Sequence, residues 1–199
     1  MKIAGEAADT MLENVLSDTI YVSPGDFRWL QPKLLVNAGD TVQVGTPLFC
    51  DKQDERIVVV SPVAGIVKEI VRGEKRVVQY VAISRDAEAP THLQVPFDEP
   101  SDGRAIRALM LQYGLWPSLR QRPFAVIPNP DVRPKSVFVP CFDSNPLAPD
   151  YSIFLRGQED SFLRGLQIVQ MAADGAPIHL CMRKGADNAL FERANNVGK

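Results

Sequence analysis

The sequence predicts two joined folds: a compact all-β unit, then an α/β unit built on a strand–helix–strand crossover. Three observations predict this. From Leu34 to Ser84, short β-branched runs are broken every few residues by Gly, Pro or Asp, which is how short strands joined by tight turns read. A polar, proline-containing stretch from Arg85 to Pro100 then reads as a linker. Beyond it, an apolar run, an amphipathic stretch and a second apolar run follow at the spacing of a right-handed βαβ crossover.

Residues Met1 to Gln31 are weakly patterned: Asp9–Leu16 suits a turn of helix, Thr19–Val22 a strand, and Pro24-Gly25-Asp26 a turn. Phe27 and Trp29 are expected to pack against the β unit. In that unit Gly39 and Gly45 stand where the chain must reverse with φ positive, a conformation that costs glycine almost nothing. The stretch Val36–Asp40 is echoed by Ile70–Glu74, which suggests two quasi-equivalent halves folded on one another as a small sandwich or flattened barrel. The apolar Ile57–Val60 leads into Ser61-Pro62-Val63-Ala64-Gly65.

The boundary is set at the linker, giving parts 1–90 and 91–199. Ser101 or Asp102 can cap a helix whose apolar face is Ile106, Leu109, Met110 and Tyr113, closed by Gly114. Pro117 and Pro123 forbid a regular helix through Leu115–Phe124, so an ordered loop is expected. Ser136–Val139 reads as a buried parallel strand, Glu159–Ala173 as a helix stopped at Gly175-Ala176-Pro177, and Ile178–Met182 as a second strand. A further helix is expected over Asp187–Ala194. Two strands make an unfinished sheet, and Met1–Gly5 is an abrupt start, so the chain reads as the front part of a longer protein.

Composition removes several function classes. Lys and Arg number 22 against 24 Asp and Glu, so there is no electrostatic footprint for nucleic acid. With no run of about 18 apolar residues and no signal segment, the chain reads as soluble and cytoplasmic, any membrane link running through a partner. Cys50, Cys141 and Cys181 are far apart and form no Cys-x-x-Cys, which argues against a zinc or iron–sulfur site and for small buried hydrophobes in strands. His92 and His179 lack companions at ligand spacing, and no nucleophile–base pair or carboxylate dyad is visible. Whether the chain is itself an enzyme is left open.

The β pattern resembles the biotinyl/lipoyl carrier module, the barrel-sandwich hybrid. Carriers modify a lysine eight residues before the proline of the Ser-Pro step, and that count from Pro62 lands on Asp54; Lys52 is two residues away without a carrier signature. The fold is therefore read as a platform. Gly39–Val42, Ser61–Gly65, Arg72–Val77, Gly114-Leu115-Trp116, Arg122-Pro123-Phe124 and Asp143–Ala148 together resemble the N-terminal part of the A-subunit family of Na+-translocating NADH:quinone oxidoreductases. That resemblance spans nearly the whole chain from Gly5. It implies a barrel-sandwich hybrid followed by a partial, truncated Rossmann-like βαβ domain. It also implies a peripheral subunit at the cytoplasmic face of the bacterial inner membrane, supporting quinone reduction coupled to sodium export. Its partners would be other subunits, especially an integral membrane one; flavins and an iron–sulfur centre would sit in those subunits, and none in this chain.

A rival reading is a flavin- and NADH-binding subunit, like the flavin subunit of respiratory complex I or the C subunit of the membrane-bound electron-transfer protein. Those relatives grip phosphates with a glycine-rich loop, whose bare amides approach the ligand closely. The corresponding Leu115–Phe124 has no glycine and two prolines, so neither flavin nor NADH is expected there. Arg120 and Arg122 read either as exposed arginines, one paired with a carboxylate, or as an interface or quinone-headgroup contact with Trp116 and Phe124 as the apolar wall. Arg72, Lys75 and Arg76 read as a solvated hairpin tip or as a docking patch for a membrane subunit or anionic headgroups. Asp143 and Asn145 lie where α/β proteins place ligands, or form a rigid turn with Pro146 and Pro149.

Overall fold

The computed structural model describes residues 17–90, 92, 102–145 and 148–183. The expected helices at Asp9–Leu16 and Asp187–Ala194, most of the linker, and Pro146 lie outside the described residues. The chain forms two compact units, one running from Val15 to Val132 and one holding the described residues from Arg133 onward.

The first unit is two antiparallel sheets around one apolar core. Strands β1 (Thr19–Val22), β7 (Val78–Arg85), β6 (Gly65–Arg72) and β3 (Thr41–Val42) form one sheet in that order; β2 (Pro32–Leu34), β4 (Pro47–Asp51) and β5 (Val58–Val60) form the other. Val36, Val42, Leu48, Phe49, Val59, Val67, Val81 and Ile83 make the core, with Phe27 and Leu30 packed against it. Adjacent Leu48 and Phe49 are both buried because a bulge in β4, opposite Val59 and Val60, breaks the alternation.

The turn residues do what their chemistry dictates. Gly39 and Gly45 have φ of 94° and 85°, as expected. Asp40 accepts the Asn37 amide (2.7 Å), and the Gly39 amide and Asp40 carbonyl bond to the two sides of Val67, so this turn is stitched to β6. Ser61 is fully buried, but its Oγ donates to the Val63 carbonyl (2.6 Å) and its backbone is held by Gly45 and Thr46, so the hydroxyl is satisfied. The echo of Val36–Asp40 in Ile70–Glu74 does not extend to geometry. Gly73 is extended, and Lys75 and Arg76 take the positive φ instead.

Helix α1 (Gly103–Gln112) starts on Asp102, whose carboxylate accepts the Ala105 amide at 2.7 Å. It ends at Gly114 (φ 69°): Leu115 N–H bonds to the Met110 carbonyl and Gly114 N–H to that of Leu111, a Schellman closure. Ile106, Met110 and Leu111 are its buried residues. Trp29 departs from expectation. Phe27 packs inward against Phe49, but Trp29 is 66% exposed with φ 68°, because the left-handed step turns its side chain away from the core side that Phe27 and Leu30 occupy.

The second unit has the expected crossover. Strands β8 (Val137–Pro140) and β9 (Ile178–Cys181) are parallel, Val137 beside Ile178, and α3 (Glu159–Ala172) connects them after a short helix α2 (Tyr151–Phe154). Strand β8 is not buried as expected. Its side chains alternate, and Phe138 is 63% exposed with its ring stacked on His179. Cys50 is buried in β4, but Cys141 lies just past β8 and Cys181 is only half-buried.

Gly65 and Gly39 give contrasting predictions. A Cβ on Gly65 would sit 2.0 Å from the Ser84 backbone oxygen, whereas one on Gly39 meets nothing. Gly65→Ala should therefore cost about 3 kcal/mol or more, and Gly39→Ala about 1 kcal/mol from backbone strain alone. Urea unfolding of both variants checks the ranking, and equal losses would contradict it.

Candidate functional site

Three places at the surface of the first unit carry most of the residues singled out from the sequence. The first is the tip between β4 and β5, where Asp54 stands at the position a carrier would modify. Arg56 closes over it: its Nε and Nη2 bond to Asp54 (2.9 and 2.7 Å), and Nη1 and Nη2 bond to Asp131 (3.1 and 2.7 Å). Hydrogen bonds from Arg56 hold both carboxylates below the usual range, and the carboxylates push the guanidinium further up. Neither Arg56 nor Asp131 was found by sequence reasoning; no local signal links residues so far apart. Lys52 is exposed, and its backbone amide bonds to the Gln31 carbonyl.

The second place is the loop Leu115–Phe124. A 3-10 turn spans Trp116–Ser118, and a bridge between Gln121 and Val126 closes the remainder into a tight bend. Trp116 is interior rather than part of an exposed wall. It is 5% exposed, and its ring N–H donates to the Pro128 carbonyl at 2.8 Å. Arg120 is committed locally: its guanidinium donates to the carbonyls of Pro117 and Leu119 and lies 5.7 Å over the Phe27 ring. Arg122 is exposed, with no hydrogen bond or ion pair among the described residues. Phe124 is 57% exposed and stacks on Trp29 at 5.9 Å. The Ser118 and Leu119 amides bond to the Leu115 and Trp116 carbonyls, the Gln121 amide bonds to Val126, and Pro117 and Pro123 have no N–H, so these five positions offer no amide to an anion.

The third place is the β6–β7 tip. Arg72, Lys75 and Arg76 are all exposed there, and Arg72 donates to the Arg76 carbonyl (3.3 Å). In the other unit, the Asp143 carboxylate accepts the Asn145 amide (2.9 Å), which commits it to a local turn. Beside the end of β8 lies an apolar pocket of about 240 Å³, lined by Pro140, Cys141, Tyr151, Phe154, Leu155 and Phe162. Burial pushes the Cys141 thiol up to about 11, so it stays protonated at neutral pH and is a poor nucleophile. Among the described residues no group of three or more His, Cys, Asp or Glu could hold a metal ion, and no helix is long and apolar enough to cross a membrane.

An all-β module of two facing sheets, followed by a βαβ crossover, defines the class: a barrel-sandwich hybrid domain joined to an α/β domain. The chain belongs to the NqrA family, matching the NqrA N-terminal barrel-sandwich hybrid domain over residues 1–86 and the NqrA second alpha/beta domain over residues 101–198. Its relatives include proteins named as the A subunit of Na(+)-translocating NADH-quinone reductase. That of Rhodopirellula baltica is 37% identical over 183 residues, 87% of this chain and 40% of the relative. That of Neisseria meningitidis serogroup A is 32% identical over 198 residues, 98% of this chain and 44% of the relative. That of Pseudomonas aeruginosa strain UCBPP-PA14 is 36% identical over 163 residues, 80% and 36% respectively. The chain thus spans less than half the length of these curated relatives.

Two predictions follow from this geometry. Because the Asp54 and Asp131 pKa values are depressed, the Arg56 link is intact above the ordinary carboxylate value and is lost as pH falls through the lower folded values, below about pH 4. Amide protection relative to the intrinsic rate at Asn129, Asp131 and Val132 should fall there, and should fall at neutral pH in Arg56→Ala with little change in global stability, since the link is at the surface. Protection unaltered by either change would contradict the link. Trp116→Phe keeps the ring but leaves the Pro128 carbonyl without its donor, and should cost about 1–2 kcal/mol in denaturant unfolding.

Proposed function

We propose that this chain is part of a cofactor-free peripheral subunit of a Na+-translocating NADH:quinone reductase, supporting quinone reduction coupled to sodium export. The observation that carries this reading is the pair of NqrA domain matches across both units, together with relatives whose names state that activity. Those relatives are longer, so the activity is a property of a larger protein and its assembly. The subunit sits at the cytoplasmic face of the bacterial inner membrane, held there by an integral membrane partner. Electrons reach quinone through flavins and an iron–sulfur centre carried by other subunits.

Loop chemistry supports the cofactor-free part. A dinucleotide or flavin phosphate needs converging backbone donors, and Leu115–Phe124 has no glycine to bring amides close, two prolines without N–H, and the amides of Ser118, Leu119 and Gln121 committed to its own bend. Arg120 is likewise spent on local carbonyls and Phe27. Arg122 with Phe124 keeps one cation and one ring facing outward for a neighbouring subunit or a quinone headgroup. The β6–β7 tip, with Arg72, Lys75 and Arg76, supplies a second cationic surface for docking.

Absorption and activity test the two parts separately. The purified chain should be colourless, with no flavin released on acid precipitation; a stoichiometric yellow chromophore would replace this reading with that of a flavin-binding subunit. Removing the subunit from the assembled enzyme should abolish sodium-coupled quinone reduction. Unchanged quinone reductase activity would overturn the functional half.

A further inference from the structure

We infer that Trp29, Phe124, Arg28 and Arg122 form a docking platform for an acidic, aromatic-bearing segment of a partner polypeptide. Trp29 and Phe124 come from loops far apart in sequence and stack at 5.9 Å with ring planes 27° apart, yet both remain more than half exposed. Phe27 and Leu30, either side of Trp29, supply the packing to the core, so the fold does not need the Trp29 ring. Holding it outward has a backbone cost, for Trp29 and Ala125 are both non-glycine residues at positive φ (68° and 56°) on the two loops that build the platform. Arg28 lies 5.7 Å over the Trp29 ring, and Arg122 stands two residues before Phe124.

Charge selects the occupant. The stretches Phe27–Gln31 and Leu119–Val126 hold Arg28, Arg120 and Arg122 and no acidic residue, within a chain of net charge −2. Arg120 is tied back to Phe27 and its own loop, which leaves Arg28 and Arg122 as the exposed, uncommitted cations of these two stretches. A lipid surface is recognised by clusters of about four to eight cations, so two are too few. The acidic chain as a whole disfavours nucleic acid, and a small-molecule site encloses most of its ligand, whereas both rings here are more than half open to solvent. A stacked aromatic centre rimmed by arginine is instead the composition of a protein–protein hot spot, and its complement is a carboxylate-bearing segment with an aromatic or aliphatic anchor.

The platform deepens the proposed role as one component of an assembly and rests on it for the identity of the partner, so the test has two arms. In the first, fluorescence anisotropy follows a labelled peptide of alternating glutamate and phenylalanine, its glutamine counterpart, and phosphatidylserine vesicles against the full chain. The glutamate peptide should bind at least about tenfold more tightly than the glutamine one. Trp29→Ala and Arg122→Gln should each weaken it about tenfold or more without altering circular dichroism. Equal binding by the variants, equal binding of the two peptides, or preference for vesicles would overturn the platform. In the second arm, a photo-crosslinking residue replaces Trp29 in the assembled enzyme, and an adduct mapping to an acidic segment of another subunit is expected. Normal assembly with no such adduct would overturn the platform while leaving the subunit reading in place. A chain that binds the peptide through Trp29 but does not assemble would overturn the subunit reading instead.

Discussion

The barrel depends on how closely its backbone passes itself at Gly65. This residue is paired on one side with Val42 and on the other with Arg85, so it joins β3, β6 and β7 in one sheet. The space a side chain would occupy is already filled by the Ser84 carbonyl. The rest of the unit uses that closeness. The turn at Gly39 and Asp40 can bond to Val67, and Val42 reaches a core in which Leu48, Phe49 and Val67 lose all contact with water. A second close approach recurs where α1 ends. A side chain on Gly114 would meet Val60, so the helix terminus and β5 come together only because this position is bare.

What the sequence made legible was local. Gly39, Gly45 and Gly114 are readable because a reversal with positive φ singles out one residue type. Asp102 is readable because a cap acts on an amide three residues away, and Glu159–Ala172 because its periodicity outlasts its neighbours. The rest depended on partners that sequence spacing cannot reveal. Trp116 is buried because Pro128 offers a carbonyl to its ring N–H, and Arg120 is spent because Phe27, far upstream, lies beneath it. An apolar tetrad signals a strand but not how many faces are covered, so the exposure of Phe138 could not be anticipated. Gly73 shows the limit of internal similarity: two stretches share a Gly-acidic step but place their left-handed residues differently.

In the reading proposed for this chain, its prominent corners have been assigned different work. The β4–β5 tip is closed by an arginine bridging two carboxylates, and the Leu115–Phe124 loop is closed by its own hydrogen bonds. The aromatic pair at Trp29 and Phe124 stays open, each ring more than half exposed, with the Arg28 guanidinium over the Trp29 ring. On that reading the chain is suited to contact with other polypeptides, and residue chemistry at the corners, rather than the shared architecture, carries the distinction.

The distribution of sulfur has a practical consequence. Cys50 is sealed inside the barrel unit, Cys141 is buried but lines the apolar pocket beside β8, and Cys181 is only partly covered. Once Cys181 has been blocked under native conditions, Cys50 becomes reachable by an alkylating reagent only when the barrel unit opens, whereas Cys141 can be met through its pocket. The rate at which the Cys50 adduct appears would then report the local opening free energy of the barrel unit, giving an unlabelled polypeptide an internal clock for that half.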